Sequence, residues 1–179
     1  MVDWIPLQKS SIPLTSTVEL DDLTLELIKP FDYKSTGTES FYPYELPSLP
    51  QQFSIGVIVG ASGTGKSTLL KQFGTPTTIS WSNNSIASHF DSSIDAMEKL
   101  SAAGLMSVPE WVKPFHVLSN GQQFRANLAR SLHNNAVIDE FTSVIDRNVA
   151  KAASTAMARY IRKNNLRNIV LATTHKDIL

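Results

Sequence analysis

The residues best suited to chemistry form a glycine-rich stretch, "GASGTGKST", which runs from Gly60 to Thr68. It fits the pattern G-x-x-x-x-G-K-[ST], and it lies between the apolar run "FSIGVIVG" and a helical pattern that begins at Lys66. Glycines let backbone N–H groups turn inward around phosphate oxygens, and a helix N-terminus adds partial positive charge. The stretch therefore predicts a phosphate-binding loop.

Individual positions of this loop have expected roles. Lys66 would reach the β- and γ-phosphates of a nucleotide, and the hydroxyl of Ser67 would bind Mg²⁺. The residues expected to contact the nucleotide are Gly60, Ala61, Ser62, Gly63, Thr64, Gly65, Lys66, Ser67 and Thr68.

A second set of candidate residues lies in "AVIDEFTSVID", after a short apolar run that starts with the polar residues "HNN" and ends at Ile138. An acid at the end of a buried strand can complete the Mg²⁺ shell, and Asp139 occupies that position. Glu140, the next residue, stands where a carboxylate could orient or deprotonate an attacking water. The pair therefore extends the predicted phosphate site to metal binding and water activation.

These residues require a scaffold of strands and helices. The runs "FSIGVIVG" and "NIVLATTH" predict buried strands, "TTISW" a short strand, and "AVID" an abbreviated one. Helical patterns cover Lys66–Phe73, Ser92–Ala103 and Arg147–Asn164, and Gly104 is placed as a C-terminal stop. Alternating strands and helices predict an α/β domain with a largely parallel sheet.

The N-terminal region differs in character. Six of the nine prolines lie in the first 50 residues, which argues against long helices there. The stretch "VELDDLTLELI" (Val18–Ile28) alternates apolar and polar residues with a phase slip at Asp21–Asp22. We expect a strand, bulged at the slip, or a tight pair of strands.

Composition narrows the classes of protein. The chain has 179 residues and no cysteine, which excludes disulfides and thiolate metal sites. Its formal net charge is zero, so overall charge does not indicate a nucleic-acid partner. No signal pattern or membrane-spanning run is present, and we expect a cytoplasmic protein with no membrane segment of its own.

The motifs "GASGTGKST", "LSNGQ", "AVIDEFTSVID" and "ATTH", in this order, resemble those of the ATP-binding cassette (ABC) ATPases, over Ser54–His175. The resemblance implies a P-loop core of ABC type: a mostly parallel sheet, an N-terminal antiparallel β region and a small helical subdomain. We expect one compact ATPase domain over 1–179. Within it, a β-rich region would cover 1–50 and a reduced helical subdomain about 75–118.

The resemblance also implies site residues shared between two subunits. Ser119 and Gly121 would carry the family's signature turn, with Asn120 where a glycine is usual, and together with Gln122 they would face ATP held by a second copy. Asp146 matches the loop that communicates across the dimer. His175 matches the switch histidine that senses the γ-phosphate, and it would act with Lys66 and Glu140 in hydrolysis.

A narrower resemblance lies in "VPEWVKPFHVLSNGQQFRANLAR" and "IDEFTSVIDRNVAKAAS". These stretches look like the ATPase half of ABC proteins in which that half is fused to an acetyltransferase-like domain. The first 50 residues are too few for such a domain, so we expect an ATPase module alone.

The sequence departs from the family pattern at one loop, and several residues compete for a second family contact. The usual glutamine that touches Mg²⁺ and water is missing from "TTISWSNNSIASHF", where Asn83, Asn84 or His89 would substitute, or the contact is absent. Adenine commonly stacks on an aromatic of the N-terminal region. Phe31, followed by Tyr33, is the candidate for that contact, with Tyr42 and Tyr44 as rivals.

Three functions follow from these observations. The first is Mg²⁺-dependent ATP hydrolysis in sites shared by a homodimer. The second is an ATP-gated dimerisation clamp with slow turnover, and the third, ranked last, is the ATPase subunit of a transporter.

Overall fold

The computed structural model describes residues 3–76, 78–142 and 146–178. The chain divides into two compact units, a small one over Asp3–Pro47 and a larger one that begins at Ser48. Each unit has its own sheet. None of the helices in the described ranges combines the length and the apolar character that crossing a membrane requires.

The small unit is built on an antiparallel strand pair. Strand β1 (Leu14–Thr17) pairs with β2 (Thr38–Phe41), with Leu14 opposite Phe41 and Thr17 opposite Thr38. Helix α1 (Asp22–Ile28) and a 3₁₀ turn (Lys29–Phe31) lie between the two strands in the chain.

Helix α1 corrects the expectation of a strand over "VELDDLTLELI". The carboxylate of Asp21 accepts a hydrogen bond of 2.8 Å from the backbone N–H of Thr24, which makes Asp21 the N-cap. Asp22 then lies in the first turn, where negative charge suits the helix dipole. The phase slip at Asp21–Asp22 is thus a helix start and not a bulge.

The larger unit contains a three-stranded parallel sheet in the order β3-β5-β4. The strands are β3 (Ile55–Val59), β4 (Val137–Ile138) and β5 (Ile169–Thr173). Both pairings are parallel, which confirms the predicted α/β architecture with a parallel core sheet. The central strand β5 is buried at every position, whereas β3, expected to be buried on both faces, is only half-buried. Among the described strands, β3 pairs with β5 alone, and this edge position explains the difference.

Helices surround this sheet. They are α2 (Lys66–Leu70), α3 (Ser93–Ala102), α4 (Val108–Trp111), α5 (Asn120–Arg130) and α6 (Arg147–Lys163). Short 3₁₀ turns cover Ile86–His89, Phe115–Val117 and Lys176–Ile178. Helices α3, α5 and α6 pack together over the sheet, and their buried side chains form the main core, which includes Leu100, Ala126, Leu128, Met157, Ile161, Ile169 and Leu171.

Two predicted elements of the larger unit also differ from the structure. The helix predicted to reach Phe73 ends at Leu70. The strand predicted over "TTISW" is not formed at Thr78–Trp81, and Thr77 lies outside the described residues. The guanidinium of Arg130 donates a hydrogen bond of 2.6 Å to the carbonyl of Ser80, so this carbonyl is taken by a side chain and not by a neighbouring strand.

Gly104 ends helix α3, as the sequence predicts. Its φ of 81° lies in the left-handed region, and a Cβ added there would lie 3.3 Å from the Cβ of Ala153 on α6. The backbone at Gly104 therefore both stops α3 and lets α6 approach closely.

We expect Gly104→Ala to lower the free energy of unfolding by about 1–2 kcal/mol through left-handed strain alone, with a further loss from the contact with Ala153. Gly63→Ala is the matched control, because Gly63 has a φ of 77° but no atom within 4 Å of an added Cβ. Urea denaturation of both variants measures the difference. An equal loss in the two would contradict a role for the α3–α6 contact.

Candidate active site

The phosphate-binding loop predicted by the sequence follows β3 directly. The N–H of Gly60 donates to the carbonyl of Thr173 at the end of β5, at 3.3 Å. The ammonium of Lys66 and the hydroxyl of Thr64 both donate to the carbonyl of Ala61, at 2.7 and 2.8 Å. The loop therefore curls around its own lysine at the carboxyl end of the sheet.

A close approach within this loop requires glycine at its first position. A Cβ added at Gly60 would lie 2.8 Å from the hydroxyl oxygen of Thr64, which is shorter than real Cβ contacts. Gly63 and Gly65 have positive φ values of 77° and 87°. This backbone is of the kind that turns successive N–H groups toward one side.

The acidic pair follows β4 at the same end of the sheet. The carboxylate of Asp139 accepts a hydrogen bond of 2.8 Å from the N–H of Glu140, and Glu140 has a φ of 50° with its side chain exposed. Immediately afterwards, the N–H of Phe141 donates to the carbonyl of Ala172 on β5, at 2.8 Å. The carboxylates are thus placed by a turn that is anchored to the central strand.

His175 follows β5. Its backbone N–H donates to the hydroxyl of Thr173 at 3.1 Å, and Thr173 is itself buried beside the hydroxyl of Thr142 at 3.4 Å. On the side chain, Nδ1 lies 3.4 Å from Nη1 of Arg147. The sheet therefore brings the loop at Gly60, the carboxylates and His175 to the same end, where the carboxyl ends of its strands lie.

The residues predicted to form the signature turn begin helix α5. The hydroxyl of Ser119 accepts from the N–H of Gln122 at 3.4 Å, and the side chain of Gln122 accepts from the N–H of Ser119 at 2.9 Å. This reciprocal capping box satisfies two backbone donors. Ser119 and Asn120 are exposed and Gly121 is half-buried, so the turn lies at the surface of its own chain.

Asp146 caps helix α6. Its carboxylate accepts from the N–H groups of Asn148 and Val149, at 2.8 and 3.4 Å. The rest of the predicted communication loop, residues 143–145, lies outside the described residues.

The segment that lacks the glutamine expected from the sequence resemblance is bound to helix α5. The indole N–H of Trp81 donates to the side-chain oxygen of Asn127 at 2.7 Å, and the guanidinium of Arg130 lies 4.8 Å from the centre of the Trp81 ring. Phe115 stacks on the same indole with ring centres 4.9 Å apart. Trp81 is therefore a packing residue, and Arg130 is held by contacts within its own chain.

His89, one of the candidates to replace that glutamine, is bonded through both ring nitrogens. Nδ1 lies 2.9 Å from the carbonyl of Ser85, and Nε2 lies 3.0 Å from the backbone N–H of Ser82. A carbonyl accepts and an N–H donates, so the neutral ring carries its hydrogen on Nδ1. His89 closes the 82–89 loop.

The aromatic candidates for adenine stacking lie in the small unit. Phe31 is 76% exposed, Tyr33 is 56% exposed and Tyr42 is 46% exposed. Phe31 ends the 3₁₀ turn after α1.

Sequence reasoning missed the residues that surround His175. Arg147 and Asp177 form a two-pronged ion pair in which Nε donates to Oδ2 at 2.9 Å and Nη2 donates to Oδ1. Lys151 reaches the same carboxylate at 3.1 Å. Neither spacing nor composition signals this pair, because its members lie 30 residues apart in the chain.

Comparison with known proteins shows the fold. No protein-family model matches the chain, and no curated protein matches it either. Among solved structures, it is similar to a chain from the inward-facing structure of a protein assigned as a metal-chelate type ABC transporter. The likeness has 21% identity and a TM-score of 0.50, and it covers 76% of this chain and 68% of that one. The likeness shows a shared fold over the covered part of the two chains.

We expect Trp81→Phe to lower the free energy of unfolding by about 1–2 kcal/mol, because the half-buried oxygen of Asn127 loses its donor while the aromatic stack remains. A double-mutant cycle with Asn127→Ala, followed by urea denaturation, isolates this bond. Strictly additive losses would show that the indole N–H contributes nothing.

Proposed function

We propose that this protein binds ATP and Mg²⁺ and hydrolyses ATP in sites shared between two copies of the chain. One observation carries the proposal. The loop with Lys66, the pair Asp139–Glu140 and His175 follow three adjacent parallel strands and meet at one edge of the sheet. In open α/β sheets, ligands bind outside the carboxyl ends of the strands.

The residues at the carboxyl end of the sheet fit a nucleoside triphosphate. The backbone of the Gly60–Thr68 loop supplies donors for phosphate oxygens, and Lys66 supplies a cation that already lies within the loop. Mg²⁺ is commonly held by one or two protein oxygens together with phosphate oxygens and water, and Ser67 and Asp139 supply such a pair. When bound, Mg²⁺ would neutralise charge that develops on the phosphates.

The chain's own groups then divide the work of hydrolysis. Glu140, exposed at the sheet edge, accepts a proton from water or orients it for attack on the γ-phosphate. Lys66 and His175 donate hydrogen bonds to the charge that develops on the γ-phosphate oxygens.

The shared site rests on helix α5. Its capped N-terminus is exposed, and Ser119, Asn120, Gly121 and Gln122 present a hydroxyl, amides and backbone N–H groups there. We assign this turn to the γ-phosphate of ATP held by a second copy, with Asp146 at the contact between the copies. The pairing is isologous, so that two nucleotides lie between two subunits.

The narrower relationship, to the ATPase half of ABC proteins that carry an acetyltransferase-like domain, is also part of this proposal. It is supported by the stretches 108–130 and 138–154 alone.

A dimerisation clamp with slow turnover is the second candidate. The state of His89 favours it, because both ring nitrogens are bonded within the 82–89 loop and the histidine does not stand in for the missing glutamine. The clamp and the enzyme would both form an ATP-dependent dimer, but the clamp would release phosphate much more slowly.

We expect Lys66→Ala to lower the rate of phosphate release by about 100-fold or more, because the charge on the transferred phosphoryl group loses its cation. Lys71→Ala is the matched control, since Lys71 is an exposed lysine five residues further on. Release of phosphate from ATP and Mg²⁺ by purified protein measures both. A wild-type rate no higher than that of Lys66→Ala would exclude the enzyme and leave the clamp.

We expect Glu140→Gln to convert from monomer to dimer when ATP and Mg²⁺ are added, because ATP then binds without being consumed. Light scattering coupled to gel filtration measures the mass, with ADP as the control nucleotide. A mass that ATP does not change would count against a shared site.

Mixing two inactive variants tests the shared site independently. Ser119→Asp keeps a capping oxygen but places negative charge against the partner's phosphate, and Ser119→Asn is its uncharged control. An equal mixture of Lys66→Ala and Ser119→Asp regains up to about a quarter of wild-type activity, because half of the dimers are mixed and each has one intact site. No recovery in a mixture that forms dimers would contradict the arrangement.

A further inference from the structure

Arg147 is the residue around which the contacts near His175 are organised. It is the first residue of α6, directly after the cap Asp146, and its guanidinium lies between the imidazole of His175 and the carboxylate of Asp177. Lys151, one turn further along α6, binds the same carboxylate. Two positively charged side chains of α6 thus bind the carboxylate of Asp177, two residues after His175.

The ion pair keeps the guanidinium in place. The Arg147 guanidinium, and after it the Lys151 ammonium, hold the pKa of the Asp177 carboxyl far below its usual range. The hydrogen bonds that Arg147 donates to Asp177 in turn raise the pKa of Arg147. Two-pronged pairing restricts a guanidinium more than a single hydrogen bond does, although both side chains are partly exposed.

A guanidinium can only donate hydrogen bonds, so its position fixes the state of the ring beside it. Nδ1 of His175 lies 3.4 Å from Nη1 of Arg147, and a hydrogen on Nδ1 would point at a cation. Nδ1 is therefore the lone-pair nitrogen, and the neutral ring carries its hydrogen on Nε2, on the opposite side from Arg147.

We propose that Arg147 is a positioning residue for His175: braced by Asp177 and Lys151, it sets the imidazole as the Nε2–H tautomer and turns that donor away from α6. This inference rests on the proposed function in one respect, namely that the donor is used on the γ-phosphate of ATP. The tautomer itself is a property of the free protein.

The chain contains an internal reference for this tautomer. At His89 the partners are reversed, because Nδ1 faces a carbonyl and Nε2 faces a backbone N–H. The two histidines are therefore expected to carry their hydrogens on opposite nitrogens. The signals of both histidines can be recorded under the same conditions in one spectrum.

The first experiment is NMR of the ¹⁵N-labelled imidazoles without nucleotide, with signals assigned by His175→Gln and His89→Gln. We expect the Nε2–H pattern for His175 and the Nδ1–H pattern for His89. In Arg147→Met, His175 shifts toward an average of both tautomers while His89 is unchanged. An Nδ1–H pattern for His175, or the same His175 pattern with and without Arg147, would overturn the proposal.

The second experiment separates positioning from mere stabilisation by a charge swap. Arg147→Glu with Asp177→Arg restores an ion pair but places a carboxylate, which only accepts, beside Nδ1. We expect thermal stability to recover relative to Arg147→Glu, while the His175 signals move to the Nδ1–H pattern. An unchanged Nε2–H pattern in the swapped protein would show that Arg147 does not set the tautomer.

The third experiment tests whether Arg147 affects catalysis through His175. We expect Arg147→Met to lower kcat for ATP by about 10-fold with little change in KM, as for other groups that orient a functional histidine, and to have little further effect in a His175→Gln background. Arg162→Met, at an exposed arginine of the same helix that donates to the carbonyl of Ala158, is the matched control and should change kcat much less. Losses that multiply in the double variant would refute action through His175. Should the wild type hydrolyse no ATP, the proposed function fails while the NMR result still decides the tautomer.

Discussion

The parallel pairing of β5 with both β3 and β4 is the interaction on which the candidate site depends. Val59 is in register with Thr173, and Ile138 with Leu171, so the three strands end within about two residues of one another. The segments that carry Lys66, Asp139 and His175 therefore start at the same end of the sheet because of the strand register. Because β5 is buried throughout, its register is set by the apolar core and not by the site.

Elements whose signal is local were predictable from the sequence. The Gly60–Thr68 loop, the cap at Ser119 and the stop at Gly104 each depend on residues within a few positions of one another, and spacing alone contains that information. The parallel sheet followed from continuous apolar runs flanked by helical patterns. The polar residues before β4 predicted that this strand is short.

The remaining features depend on contacts between distant parts of the chain. "VELDDLTLELI" satisfies strand alternation, and only the cap geometry at Asp21 decides for a helix. The region around Trp81 has a strand-like composition, but Arg130, some 50 residues away, binds the carbonyl of Ser80. The pairing of Arg147 with Asp177 is likewise a tertiary fact, since single-sequence patterns do not report which charged side chains meet.

Helix α5 has a mechanical consequence that follows from its two ends. At one end it carries the exposed turn at Ser119. Toward the other end, Asn127 and Arg130 form hydrogen bonds with the 80–89 segment. Its 11 residues span about 16 Å. A tilt of about 10° pivoting at Arg130 would move Ser119 by about 3 Å, which is the difference between a hydrogen bond and none. Because both ends belong to one helix, the packing of the 80–89 segment and the position of the turn at Ser119 are linked geometrically.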